Sequence, residues 1–285
     1  MLTPGSTIAV VAPAGVPSRV RLAASIGIVE SWGYRVRRMP SLGNVHRYTA
    51  GTEAQRTADL REALTAPDID AVWFARGGFG TVHLLGALPY AKLDNRPVIG
   101  FSDATALFAA MHGRGGNPVH GPVLHSLADH VDADSLGAMR RFLQNGASVD
   151  LPGTHLAGPA HAVSGPVVGG NLCVLASLVG TPWALDAAGA VLVLEDIHEP
   201  AYKLDRLVTQ MLMAGAFAGV RGIAIGELTG CRGGDDWTAL DLLVELLAPL
   251  GVPVVGGLPV GHGARNHPWR HGGAGHLTAS GLRID

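Results

Sequence analysis

Pro97-Val98-Ile99-Gly100-Phe101-Ser102-Asp103-Ala104-Thr105 carries a β-branched run into a Gly-x-Ser-Asp turn, and an apolar run with helical spacing, Ala106, Leu107, Ala110 and Met111, follows it. Such a turn holds a serine Oγ clear of the backbone. It also aims the first N–H groups of a helix at any negative charge forming on a bound molecule. The same letters spell an ordinary helix cap, with Ser102 or Asp103 accepting from first-turn amides.

Upstream, Ala71-Val72-Trp73-Phe74-Ala75 predicts a buried strand that runs into Arg76-Gly77-Gly78-Phe79-Gly80-Thr81, a glycine-rich turn that lets backbone approach a ligand. Further back, Thr7 to Ala12 predicts a strand, Ser18 to Trp32 a helix with Leu22, Ile26, Ile28 and Val29 apolar, Tyr34 to Met39 a strand and Thr52 to Leu64 a helix. The strands at Ala71 and Val98 are each expected to lead into a helix. Alternating β–α units predict a parallel sheet covered on both faces, with its active site at the carboxyl ends of the strands, where Arg76-Gly77-Gly78 and Ser102 lie.

Downstream, Asn145 to Gly170 is rich in Gly, Pro, Ala and His without period and is expected to be the linker between domains 1–150 and 151–285. Strands are predicted at Val191–Leu194, Gly222–Gly226, Val254–Val255 and Leu277–Ile284. One helix has Leu204, Leu207, Val208, Met211 and Leu212 on its apolar face. A second follows Asp235-Asp236, an expected cap pair, with Leu240, Leu243, Val244 and Leu247. The Val191 strand ends on Glu195-Asp196, and another apolar run ends at Pro259-Val260-Gly261-His262-Gly263. A serine, an acid and a histidine thus each stand at a strand end or beside a glycine, the components of a catalytic triad.

At 285 residues the chain is long for one core, and 47% hydrophobic residues suffice for two. A net charge of −2 provides no basic field for nucleic acid or an anionic membrane. Cys173 and Cys231 have no metal-pair spacing and are expected to be buried apolar side chains. No apolar stretch reaches about 18 residues, and Met1-Leu2-Thr3-Pro4-Gly5 lacks the start of a signal peptide, so a cytoplasmic location is expected.

In this order the segments resemble one family, the LD-carboxypeptidases, serine peptidases that include murein tetrapeptide carboxypeptidases and microcin C immunity peptidases. The resemblance runs through Gly5 to Gly15, Ala50-Gly51-Thr52 with Arg56 and Asp59-Leu60, Arg76 to Gly80, Gly100 to Thr105 and His120-Gly121-Pro122. It continues through Gly169-Gly170-Asn171-Leu172, Leu194-Glu195-Asp196 with Tyr202 to Arg206, and Gly261-His262-Gly263. Phe79 and Phe101 stand where the family usually has tyrosine. The resemblance implies an α/β fold with a flavodoxin-like parallel-sheet N-terminal domain and a smaller β-barrel-like α/β C-terminal domain. It implies Ser102 as nucleophile, His262 as base and Glu195 as the acid that orients it, with an oxyanion hole from the amides of Gly78 and Asp103. It also implies hydrolysis of the L,D-amide to the terminal D-alanine of murein tetrapeptide, no cofactor or metal, and a homodimer.

Rivals stand beside each assignment. Asp196, Glu199 and Glu227 compete with Glu195. His267, His271 and His276 share the loop of His262 and offer a metal-binding alternative, although His-Glu-x-x-His spacing is absent and Pro268 disfavours a helix there. A terminal carboxylate calls for a cation, Arg76 or Arg206, each of which has structural uses as well. An immunity-type peptidase acting on aminoacyl-sulfamoyl-adenylates is the alternative activity, though no insertion carrying an adenine-stacking aromatic is evident. A non-catalytic nucleotide-binding module is the other alternative, against which the Gly-x-Gly-x-x-Gly and Walker A patterns are both missing.

Overall fold

The computed structural model describes residues 1–146 and 148–285, and the chain divides into two units, Met1–Ala147 and Ser148–Asp285. In the first unit β1 (Thr7–Val11), β2 (Arg35–Arg38), β3 (Ala71–Phe74), β4 (Pro97–Gly100) and β5 (Asn117–His120) pair in parallel in the order β2-β1-β3-β4-β5. This is the flavodoxin order, whose ligand crevice opens outside the carboxyl ends of β1 and β3. All four residues of β3 are buried, as befits a strand covered on both faces.

Helices α1 (Arg19–Ser31), α2 (Glu53–Thr65), α3 (Ala104–Met111) and α4 (Ala133–Asn145) cover the sheet. Ser18 caps α1 by accepting from the Arg21 N–H, and Thr52 and Gln55 form a reciprocal capping box on α2. Every residue of α3 is buried, which its four alanines allow. The expected helix after β3 is replaced by a 3-10 turn, Thr81–Ala87. Gly80, at φ +141°, breaks the chain direction there and Pro89 ends the run.

The second unit contains β6 (Val149–Pro152), β7 (Thr154–Ala157), β8 (Val163–Asn171), α5 (Leu172–Leu178), β9 (Val191–Ile197), α6 (Ala201–Met213), β10 (Gly222–Thr229), α7 (Ala239–Leu247), β11 (Val254–Gly256), a two-residue β12 (Trp269–Arg270), β13 (Ala274–Thr278) and β14 (Gly281–Ile284). Eight of these strands form a sheet in the order β6-β14-β13-β8-β9-β10-β11-β7, parallel from β8 to β11 and antiparallel beyond. The edge strands β6 and β7 are separated only by Gly153. The two edges are therefore drawn together and the sheet is a nearly closed barrel.

Strand β9 is buried on both faces. Val191 and Val193 join Val167, Ala224, Val255 and Leu258 in one cluster, while Leu192 and Leu194 join Leu204, Val208, Leu243 and Leu247 in the layer carrying α6 and α7. Truncating a buried leucine such as Leu204 in such a layer costs about 2–5 kcal/mol.

Four further expectations are corrected. The stretch from Asn145 to Gly170 is not a bare linker but holds β6, β7 and most of β8; its short strands have half-exposed faces that conceal any alternation. The single strand expected over Leu277–Ile284 is a hairpin turning at Ala279-Ser280, with Gly281 at φ +145°. Thr238 caps α7 in place of Asp235-Asp236, because Asp241 stands three residues on and completes a capping box. Cys173 and Cys231 are free and half-buried.

Candidate active site

Strand β4 ends at Gly100, and Ser102 adopts φ +61°, one of three non-glycine residues in the left-handed region among the described residues. That conformation costs an L-residue roughly 1–2 kcal/mol and persists where the surroundings impose it. The Thr105 N–H closes the turn on the Ser102 carbonyl at 2.9 Å. Asp103 occupies the N-cap position of α3, yet its carboxylate does not cap the helix. It accepts instead from the Thr81 N–H at 2.8 Å and so ties the serine turn to the glycine-rich loop. Burial pushes the Asp103 carboxyl upward, and hydrogen bonds from Thr81 and Gly80 together with the charge of Arg56 oppose that rise.

The loop itself depends on glycine. Gly78 has φ +116°, and the Gly77 carbonyl accepts from the Gly15 N–H at 3.0 Å, which joins the loops after β1 and β3. A Cβ on Gly77 would stand 2.8 Å from the Ser102 Oγ and 3.7 Å from the Asp103 nitrogen. Beneath the loop the buried guanidinium of Arg56 donates to the carbonyls of Gly80 (2.9 Å), Gly51 (3.3 Å) and Pro13. Sequence reasoning gave Arg56 no role. The available signal was its spacing with Leu60 and Ala63, which places it on the buried face of α2.

In the second unit Glu195 is completely buried, and its Oε2 lies 2.7 Å from the Nδ1 of His262. An ionised carboxylate can only accept, so Nδ1 carries the proton and the neutral ring keeps Nε2 as a base. Burial pushes the His262 pKa down, but the charge and hydrogen bond of Glu195, with Asp196 behind it, more than offset this and leave it above the ordinary 6.5. Period-2 alternation along β9 puts Glu195 on the face of Val191 and Val193 and turns Asp196 the other way. The strand pairing of β9 and β10 shifts register between Ile225 and Leu228, beside Glu195, where a Cβ on Gly226 would press on the Glu195 Cβ at 3.3 Å. Gly261, at φ +141°, leaves similar room: its Cβ would stand 3.3 Å from the Glu195 Oε2.

The rival acids are engaged elsewhere. Asp196 accepts from Asn171 Nδ2 (3.1 Å) and from the amides of Cys173 (2.9 Å) and Ile197 (2.8 Å), at the start of α5; burial raises its pKa to about 6. Glu199 pairs with Lys203 and Glu227 with Arg265. Of the rival histidines, His271 accepts from the Gly169 N–H and stacks on Trp269, and His276 meets the Ser164 hydroxyl. Among the described residues no group of three or more His, Cys, Asp or Glu is placed to hold a metal ion, and no helix is long and apolar enough to cross a membrane.

Both candidate cations are exposed. Arg76 donates to the Val16 carbonyl at 2.8 Å, and Arg206 lies on α6 with its guanidinium 5.5 Å from the Tyr202 ring centre.

Residues 8–121 match the family model described as the LD-carboxypeptidase N-terminal domain, and residues 164–277 match the LD-carboxypeptidase C-terminal domain. The chain is 36% identical to the murein tetrapeptide carboxypeptidase of Pseudomonas aeruginosa, over 97% of this chain and 94% of that one. The crystal structure of muramoyltetrapeptide carboxypeptidase from Oxalobacter formigenes, 30% identical, superimposes with a TM-score of 0.88 over 98% of both chains. The chain is also 26% identical to the microcin C7 self-immunity protein MccF of Escherichia coli, over 90% of this chain and 84% of that one.

Proposed function

Because the chain belongs to the LD-carboxypeptidase family, we propose that it is a serine LD-carboxypeptidase that removes the terminal D-alanine from murein tetrapeptide, acting in the cytoplasm as a homodimer. The observation that carries the chemistry is the 2.7 Å hydrogen bond from His262 Nδ1 to buried Glu195, which places the proton on Nδ1 and makes Nε2 the basic nitrogen of the neutral ring. The left-handed turn at Ser102 supports the nucleophile, since a serine hydroxyl at pH 7 attacks only from an exposed, oriented position with a base at hand.

In this mechanism Ser102 Oγ attacks the carbonyl of the residue before D-alanine and gives its proton to His262 Nε2. The oxyanion is held by the amides of Gly78 and Asp103. The C–N bond then breaks, the leaving amine takes the proton from His262, and water, deprotonated by the same ring, hydrolyses the acyl-enzyme to release the shortened peptide. Glu195 stays ionised and stabilises the imidazolium. Arg76 or Arg206 holds the terminal carboxylate.

The test is D-alanine release from free murein tetrapeptide by the wild type and by Ser102→Ala, with an L-alanine epimer and an aminoacyl-sulfamoyl-adenylate as further substrates. The reading requires release from the D-epimer, little or none from the L-epimer, and a loss of a thousandfold or more in Ser102→Ala. Preference for the adenylate would transfer the function to the second reading, favoured by the 26% identity to the self-immunity protein. Nucleotide binding without hydrolysis of any of these substrates would make the chain a binding module.

A further inference from the structure

We infer that Arg76 and His125 together form a carboxylate subsite at the carboxyl end of β3, and that its occupant is the terminal carboxylate of the peptide substrate; the identity of that occupant rests on the function proposed above. The backbone brings the two residues together. The His125 N–H donates to the Ala75 carbonyl at 3.1 Å, one residue before Arg76. Arg76 in turn lies across the loop after β1, its Nη1 on the Val16 carbonyl and its Nε 3.4 Å from where a Cβ on Gly15 would be. The His125 backbone is thus fixed beside Ala75, and Arg76 on the segment that leads into Gly77 and Gly78, at the carboxyl end of β3 where the crevice of a flavodoxin-order sheet opens.

The local charges leave one cation unmatched. The groups that bear on His125 are Arg21 from α1, Arg76 from the loop after β3, and Asp129 and His130 from the turn that follows His125. Asp129 is already taken, its Oδ1 accepting from Arg21 Nε at 3.0 Å and Nη2 at 2.7 Å. Arg76 has only carbonyl company among the described residues, so a single carboxylate completes the set. His125 suits the same ligand. Its Nδ1 is buried without a hydrogen-bond partner, which favours the tautomer with the proton on Nε2, a donor to an anion. Burial, reinforced by Arg21 and Arg76, holds its pKa at about 4, so the empty subsite has a neutral imidazole and an entering carboxylate raises that value.

Two readouts test this. The imidazole resonance of His125 is followed by NMR across pH with D-alanine or D-alaninamide as probes. D-Alanine should move the midpoint upward from about 4, D-alaninamide should leave it in place, and Arg76→Gln should abolish the difference. Kinetically, Arg76→Gln should raise KM for the tetrapeptide about tenfold or more and His125→Gln severalfold, with kcat changing much less. His125→Asn serves if the glutamine variant does not fold. A midpoint indifferent to D-alanine, or variants that lower kcat with KM unmoved, would overturn the subsite. If no tetrapeptide is hydrolysed at all, the functional reading has failed, and the NMR arm alone then decides whether a carboxylate binds here.

Discussion

Gly77 faces Ser102 so closely that a methyl group on it would stand 2.8 Å from the serine Oγ and 2.9 Å from its Cβ. Real side chains do not approach at that distance, so Gly77→Ala must push the serine turn aside. The substitution is expected to leave a folded protein, destabilised by about 1–3 kcal/mol, in which the Ser102 hydroxyl, the proposed nucleophile, is displaced. Displacement of about 1 Å costs on the order of a hundredfold in rate. D-Alanine release and a urea midpoint measured on the same preparation check both parts; wild-type turnover would show that the turn does not depend on this contact.

The left-handed backbone at Ser102 separates by stability two variants that lack the proposed nucleophile. Ser102→Ala keeps the unfavourable φ of +61°, whereas Ser102→Gly relieves it and pays part of the gain back in chain entropy. Ser102→Gly is therefore expected to be about 0.5–1 kcal/mol more stable than Ser102→Ala. The comparison needs only denaturant unfolding, and a less stable glycine variant would contradict the strain.

Arg56 is buried beneath the glycine-rich loop and serves three carbonyls. Arg56→Met fills similar space but leaves those acceptors unpaired, at a cost of about 1–3 kcal/mol for each buried group left unsatisfied. Turnover should fall with stability, since the Gly80 carbonyl is held two residues from Gly78. A variant of full activity and unchanged urea midpoint would remove Arg56 from the support of the loop.

Much of this architecture is written in local pattern, and the exceptions have physical causes. The strands β1, β3 and β4 read as unbroken apolar runs because helices bury both of their faces. The strand β7 pairs at the sheet edge, where no residue of Thr154–Ala157 is fully buried, and gives no such signal. Ser102 stands out from its flanks alone. The choice between Glu195 and Asp196 does not, since adjacent strand residues point to opposite faces and only the register in the barrel tells which face meets His262. Arg56 and His125 are harder still, because their roles arise from carbonyls of Pro13, Gly80 and Ala75 that lie far away in the chain.

Metal removal provides a further check. His271 and His276 bond to Gly169 and Ser164, and the chemistry assigned to Ser102 and His262 requires no Lewis acid. Prolonged dialysis against a chelator is expected to leave D-alanine release unchanged. Inactivation that zinc reverses would make the histidine-rich loop a ligand set.

The pair His262–Glu195 fixes the expected pH dependence. Because Glu195 more than offsets the effect of burial, the folded pKa of His262 lies above 6.5, and in the proposed mechanism the ring acts as a base only when neutral. The acid limb of kcat/KM should therefore have its midpoint above 6.5, and activity should fall as pH drops through it. Glu195→Gln removes the charge that raises the value and leaves burial to dominate, so the limb moves below 6.5 while turnover falls on the order of a thousandfold. Stability runs the opposite way. A raised folded pKa means that the folded state holds the proton more tightly, so the pair contributes fully below the unfolded value of 6.5 and that contribution is lost as pH rises through the folded pKa. The stability lost in Glu195→Gln should accordingly be larger at pH 5 than at pH 9. Kinetic profiles and urea midpoints of the two proteins across that range decide it, and a limb that stays in place in the variant would mean that Glu195 does not set the basicity of His262.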